Sequence, residues 1–450
     1  MATQLLSAAL TFHPLCNDGC IVKSSSFEQT MVERFPEISW LASQDVKRTH
    51  EGKSVEDNSF SVKLFGQKFD ELDRTLMTLK CMELLLSGDR SDYDEFTRDQ
   101  KGDKLSFKSF LELHTNMKKL SLGMKGLGEE SVRNAMRAAL VLGDMGKSQT
   151  ARVIFGDYGV IDADHDDFYT SAMRVLKDFS GVSKTFDALG SVERDLLVEG
   201  SHLAHYGHIT HLEGGYKMFS RLRESGICIT NPKAFEFDFL VHVCDVAGAL
   251  GHVNNTSSLV MTENVYLALK MAFDSCMVLS NPDKTETDAY NYYLSKRAEI
   301  LNFIIHDRVE RVLTRIACQM RLFSIEDGRV LHKSFIKLPE EIQERILTFF
   351  DERFLDDKRT PTYIPAVLIN LMNNSCLGES REKRLEQAML LGLPFITKVF
   401  EGYTDMLARG DVSADIPICF NPIAKIAKDD PRLLSDSEFV ILENGDVVLK

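Results

Sequence analysis

Apolar residues recur three and four positions apart along most of the chain, the spacing that gathers them on one face of an α-helix. FDELDRTLMTLKCMELLLSGD (69–89) is the clearest case, opening on acids and ending near Ser87-Gly88, as helix termini prefer. LSFKSFLELHTNMKKLSLG (105–123) and EESVRNAMRAALVLGDMG (129–146) follow, the second again with acids first and glycine last. The same period predicts helices over about 166–180, 191–206, 215–224, 233–252, 262–279, 286–321, 339–355, 363–374 and 379–409. Strand-like alternation is scarce. Its main instance is FVILENGDVVL (439–449), where Asn-Gly between two β-rich runs predicts a hairpin. No solenoid period repeats.

These elements predict an all-α protein with additional C-terminal helices and a small β-hairpin tail. Residues 1–62, with the polar run KRTHEGKSVEDNS, read as an irregular extension and linker. Residues 63–280 read as a helical core, 281–412 as a C-terminal helical region, and 413–450 as the tail that carries the hairpin.

Composition narrows the partners more than the fold. The formal charge is −14, from 67 acidic and 53 basic residues, with no basic block interleaved with aromatics, so nucleic acid is not an expected partner. A small anionic substrate stays compatible, because a metal ion or one lysine reverses a local field. The nine cysteines are dispersed, as in a reducing compartment, and Cys16 and Cys20 form a lone CxxxC that no second pair completes into a zinc site. MATQLLSAALTFHPLC lacks the basic stretch of a secretory signal, and no apolar run reaches the ~20 residues that span a bilayer. The expectation is a soluble cytoplasmic protein with no membrane partner, or one delivered by a non-classical route.

Seven of the twelve histidines fall between 165 and 252, so histidine chemistry is expected there. In ALVLGDMGKS (139–148) an apolar helix end delivers Asp144, then Gly146 and Lys147. A carboxylate at a helix C-terminus opposes the dipole unless a cation compensates, and an ordinary surface Asp is the competing reading. DADHDDFY (162–169) starts like a calcium loop but has Asp167 and Met173 where that loop needs Gly and Glu. It reads instead as His165 with acids that orient its ring, or as an acidic helix cap.

HLAHYGHITHLEGG (202–215) spaces His202, His205, His208 and His211 by three. On one regular helix each such step turns ~300°, so the four rings drift round the axis and cannot share one metal. In AFEFDFLVHVCDVAGALGHV (234–253), Asp238, His242, Asp245, Ala249 and His252 form one stripe on an otherwise apolar helix. A solvated stripe is usually Lys and Glu; this one is Asp and His.

In order and placement these stretches resemble the HD-domain superfamily of all-helical metalloenzymes. VLGDMGK resembles that family's apolar-His-Asp-x-Gly-Lys stretch, with Asp144 as the motif Asp, Lys147 as the lysine near substrate, and Gly143 where the motif His stands. The resemblance implies an HD-like bundle and a metal set of His114, Asp144, His165, His205 and Asp245, holding one or two divalent ions (Mn, Fe, Mg or Zn). It implies phosphoester hydrolysis of a small phosphorylated or nucleotide substrate, with Lys147 offsetting phosphate charge and His208 or His211 protonating the leaving oxygen. A narrower similarity, to the di-iron branch typified by myo-inositol oxygenase, rests on DHDDF (164–168) and on His205, Tyr206, His211 and Gly214. It implies an iron-dependent oxygenase as the alternative. A third expectation is a non-catalytic helical interaction protein whose core lost its metal with the histidine replaced by Gly143.

Overall fold

The computed structural model describes residues 26–42, 58–124, 126–162, 165–201, 206–353, 361–413, 416–435 and 437–450. The fold is all-α with a small hairpin at its end, as the periodicity predicts. The principal helices before residue 206 are α1 (Asp70–Ser87), α2 (Phe107–Gly123), α3 (Glu129–Gly143), α4 (His165–Asp178) and α5 (Ser191–Gly200). They continue as α6 (Tyr206–His211), α7 (Pro232–Gly248), α8 (Glu263–Met277), α9 (Glu286–Leu301), α10 (Arg308–Gln319) and α11 (Ile325–Phe335). The last are α12 (Ile364–Asn373), α13 (Arg381–Arg409) and α14 (Asn421–Asp429). Strands β1 (Phe439–Ile441) and β2 (Val447–Leu449) pair antiparallel, Val440 opposite Val448. Among the described residues, no helix is long and apolar enough to cross a membrane.

Two apolar cores result. The first joins α1 to α9, and the second joins α10 to α14 and the hairpin. The predicted helix over 286–321 is two helices. Asn302 takes a left-handed conformation (φ 58°) that ends α9, and Asp307 starts α10 by accepting from the backbone N–H of Val309 and Glu310. The described part of the N-terminal stretch is also not irregular. Phe27–Arg34 is a helix capped by Ser26, and Met31, Phe35, Ile38 and Leu41 enter the first core. Those residues are too few for periodicity to reveal.

α7 packs along α1, and the closeness of that crossing positions everything on α7. A Cβ at Gly248 would lie 2.4 Å from the Thr78 backbone, and one at Gly251 would lie 2.6 Å from Asp73 O. At Gly143, by contrast, an added Cβ meets nothing within 4 Å. Gly248→Ala is therefore expected to cost about 1–3 kcal/mol in urea unfolding, because the helices must separate. Gly143→Ala should stay within about 1 kcal/mol of the wild type, on the stabilising side.

Candidate active site

The floor of the site is a helix end. α3 finishes at Gly143, and its C-cap residue Asp144 keeps right-handed geometry (φ −88°, ψ −4°). The turn Met145–Lys147 then folds the lysine back, so that its Nζ donates to Asp144 Oδ1 at 2.7 Å. Thr75 Oγ1 on α1 donates to the other oxygen at 2.6 Å. These two bonds offset a carboxylate placed against the helix dipole. Lys147 Nζ also lies 3.3 Å from Glu71 Oε2, and Arg74 Nη1 donates to Glu71 Oε1 at 2.8 Å. Gly146 has its own reason: a Cβ there would lie 2.4 Å from His165 O, so only glycine lets the start of α4 settle on this turn.

Above this floor is a cavity of about 300 Å³. Asp144, Lys147, His165 and Asp245 line it, with Gly143 in its wall. So do Asp238 and His242 from α7, Tyr206 from α6, and Arg221. Arg221, largely exposed, pairs with Asp167 at 3.1 Å. Three members of the α7 stripe therefore face the cavity; Ala249 and His252 do not line it.

The charges do not cancel. Asp144 shares Lys147 with Glu71, and Asp167 has Arg221, but Asp245 has no ion pair among the described residues. Protein encloses Asp245 on the scale of the cavity, while its carboxylate faces the cavity space, where water reaches it. Burial raises its carboxyl to about 6, the negative charge of Asp144 adds to this, and Lys147 and Arg74 oppose it only in part. Burial works against Asp144 too, but the Lys147 charge and its hydrogen bond prevail and hold that carboxyl below its usual range. Of the pair, Asp144 keeps the charge because it takes the ammonium directly. The ammonium in turn is held above its ordinary value by Asp144, Glu71 and Asp245, against the effect of burial. Burial raises Asp238 to about 7, moderated by Tyr206 Oη, which donates to its Oδ2 at 2.8 Å.

The other sequence-predicted residues stand elsewhere. His114 does not line the cavity; its ring lies over Gly88 at the end of α1, with Nδ1 3.1 Å from Leu85 O. His208 and His211 are on α6 but also do not line it. His208 Nδ1 lies 3.1 Å from Glu213 Oε2. Burial, helped by Arg321 and Arg297, holds the His211 ring well below its ordinary value, which keeps it neutral. His202, His205, Cys16 and Cys20 lie outside the described residues.

Sequence reasoning did not assign Glu71, Arg74, Thr75 or Arg221, and it named Tyr206 only as part of the oxygenase-like stretch, without a role. A signal for the first three existed: Asp70, Glu71, Asp73 and Thr75 crowd polar groups into the first turns of a helix that is buried all round.

Asp144, Asp245 and His165 are the donor types that Mg, Mn, Zn or Fe accept, and the unbalanced carboxylate at Asp245 is the charge such an ion would relieve. In type and charge the residues fit a divalent cation. In spacing they stop short: among the described residues no three His, Cys, Asp or Glu side chains are gathered to hold one, and the Lys147 ammonium stands on Asp144.

No curated protein and no solved structure matches the chain. A family described as a family of unknown function matches residues 29–417, which takes in the first core, most of the second and the whole cavity. The chain therefore belongs to the Family of unknown function (DUF6829).

Proposed function

We propose that the protein is a hydrolase of small phosphoesters that depends on a divalent cation, and that the cavity around Asp144, Lys147, His165 and Asp245 is its active site. One observation carries this reading. Residues singled out for their chemistry in three separate stretches of sequence stand around a single cavity.

The charge balance supports the pairing of an anionic substrate with a cation. A phosphate would meet the unbalanced Asp245, so its binding calls for added positive charge. Arg221 at the rim can exchange Asp167 for a phosphate oxygen, and Lys147, once released from Asp144, can offset the charge that develops on phosphorus. Asp245, unbalanced and raised to about 6 without a cation, is the carboxylate that a bound ion would draw into its ionised form. Asp238, near 7, is partly protonated at neutral pH and can return a proton to the leaving oxygen, the role first assigned to His208 or His211. A divalent ion would be held by Asp144, Asp245 and His165, and would supply a water acidified enough to attack near neutral pH. The second reading is a non-catalytic helical protein. It is favoured by the Lys147 ammonium, which already neutralises Asp144.

Metal analysis after loading with Mn, Mg, Zn or Fe(II) and desalting, followed by assay on p-nitrophenyl phosphate, its diester and nucleotides, tests the pair. Bound metal with hydrolysis is expected, and Asp245→Asn should lower kcat about a hundredfold or more. Neither metal nor hydrolysis under any loading would leave the non-catalytic reading standing.

Asp245 also gives a pH signature that needs no substrate. Its carboxyl is raised to about 6 in the folded protein, above the unfolded value of about 3.9, so the native state holds its proton more tightly. Stability then falls as pH rises through that window. Asn has no proton to lose, so Asp245→Asn should gain on the wild type between about pH 4 and 6 and keep the gain above, by about 1 kcal/mol or less after screening by cavity water. Thermal melts across that range read it; a variant that loses stability on the alkaline side contradicts it.

A third variant probes the departure from the motif. Gly143→His places an imidazole beside Asp144 where a Cβ has open space, and should tighten binding of Mn or Zn about tenfold or more by calorimetry. Unchanged metal affinity in a folded variant would count against a metal site at Asp144.

A further inference from the structure

The His-rich stretch that follows α5 ends in a strap, residues 206–214, whose backbone carbonyls are held from the far side of the molecule. Tyr293 Oη donates to Thr210 O at 2.7 Å, and Arg297 Nη1 reaches the same carbonyl at 3.4 Å. Gln319 Nε2 donates to Leu212 O at 3.3 Å, and Arg315 Nη2 to Gly214 O at 2.6 Å. Three alternate carbonyls are thus taken by four side chains from α9 and α10, each of them at most 1% exposed. Arg297 has no carboxylate partner among the described residues; its second nitrogen donates to Leu322 O at 2.8 Å and its fork lies 3.9 Å over the Phe323 ring.

Burying a guanidinium without a counter-charge is expensive, and a backbone carbonyl recovers only part of that cost. The strap itself is bent by Leu212, a non-glycine residue at φ 47°. At its other end is Tyr206, buried, with its ring 4.8 Å from Phe239 and 5.2 Å from His242 and its hydroxyl on Asp238. Gly200 keeps room for that carboxylate, since a Cβ there would lie 2.9 Å from Asp238 Oδ1.

We propose that Arg297, with Tyr293, Arg315 and Gln319, is a positioning residue for the cavity, fixing the strap so that Tyr206 delivers its hydroxyl to Asp238. The C-terminal region is then part of the site, not an appended body. The inference rests on the cavity being the working site, but its test does not need the hydrolase reading.

The probe is the Asp238 carboxyl, followed by NMR in protein labelled with 13C at the Asp side-chain carboxyl and assigned with Asp238→Asn. Tyr206 and Tyr169 interact directly with Asp238, and neither ionises in the neutral range; His242, Asp245, His165 and Arg221 share its cavity and are left unchanged in every variant, so each shift is read as a difference between variants. Tyr206→Phe removes the hydrogen bond that favours the ionised form, so the Asp238 inflection should move up by about half a pH unit or more. Tyr293→Phe removes one hydroxyl from the clamp at nearly constant volume. It should also move the inflection up, and should speed amide exchange over 206–214 while exchange in α12 and α13 is unchanged.

In the Tyr206→Phe background, Tyr293→Phe should add no further shift. An equal shift in both backgrounds, no shift in either, or unchanged exchange in the strap would each overturn the proposal. Hydrolysis absent with the coupling present would sink the catalytic reading alone.

Discussion

The Lys147 ammonium lies 2.7 Å from Asp144 and 3.3 Å from Glu71, and the geometry around the cavity follows from keeping it there. Asp144 sits where a helix dipole disfavours it and depends on that charge, while buried Glu71 divides its two oxygens between Lys147 and Arg74. The ammonium reaches both only if α3 stops at Gly143 and the chain turns sharply through Met145–Lys147. The turn in turn accepts α4 only because Gly146 has no side chain, which brings His165 to the same space. Removing Lys147 would leave two carboxylates facing each other across α1 and α3, with Arg74 the nearest remaining cation on Glu71. The one ammonium offsets Asp245 only in part, so burial and the Asp144 charge keep that carboxyl near 6 in the cavity wall.

The helices were legible because burial of one face imposes a period that survives without any knowledge of the partner. What that period cannot report is a break made by a single residue. Asn302 ends α9 by a left-handed conformation that an apolar pattern running from 286 to 321 conceals. The site was legible where residue type clashed with its surroundings: Asp and His on an apolar α7, or Asp at the end of an apolar α3. His114 and His211 show the limit of that logic. A histidine over a glycine cap and a histidine neutralised by burial look the same in sequence as a ligand, because the difference lies in which neighbour arrives from elsewhere in the chain. Asp238 was visible on the stripe, but its partner Tyr206 comes from a different helix, so its role was not.

The C-terminal region was the least legible part. Its apolar runs are buried in the second core. Its polar contribution had no signature, because Arg297 and Arg315 bind backbone carbonyls, which every residue has. A sequence advertises the side chains of an ion pair on both sides; a clamp on backbone atoms advertises only one.

These features share an energetic direction. Asp238 and Asp245 are carboxyls kept at raised values by burial, and Arg297 is a cation kept without a carboxylate. Each costs folding free energy that a hydrophobic residue of similar volume would not. The bulk of the two cores, with residues such as Leu72, Phe110, Leu313 and Phe420 fully enclosed, supplies what these groups take. Two of these costs meet at the cavity, where Asp238 and Asp245 stand in one wall, and the guanidinium without a carboxylate holds the strap that ends there. Burial raises Asp73 to about 6 as well, away from the cavity, but Ser61 gives that carboxyl two hydrogen bonds. Asp245 has no ion pair among the described residues, so a ligand that supplied positive charge would release a cost the fold leaves standing, which is the physical ground of the proposed site.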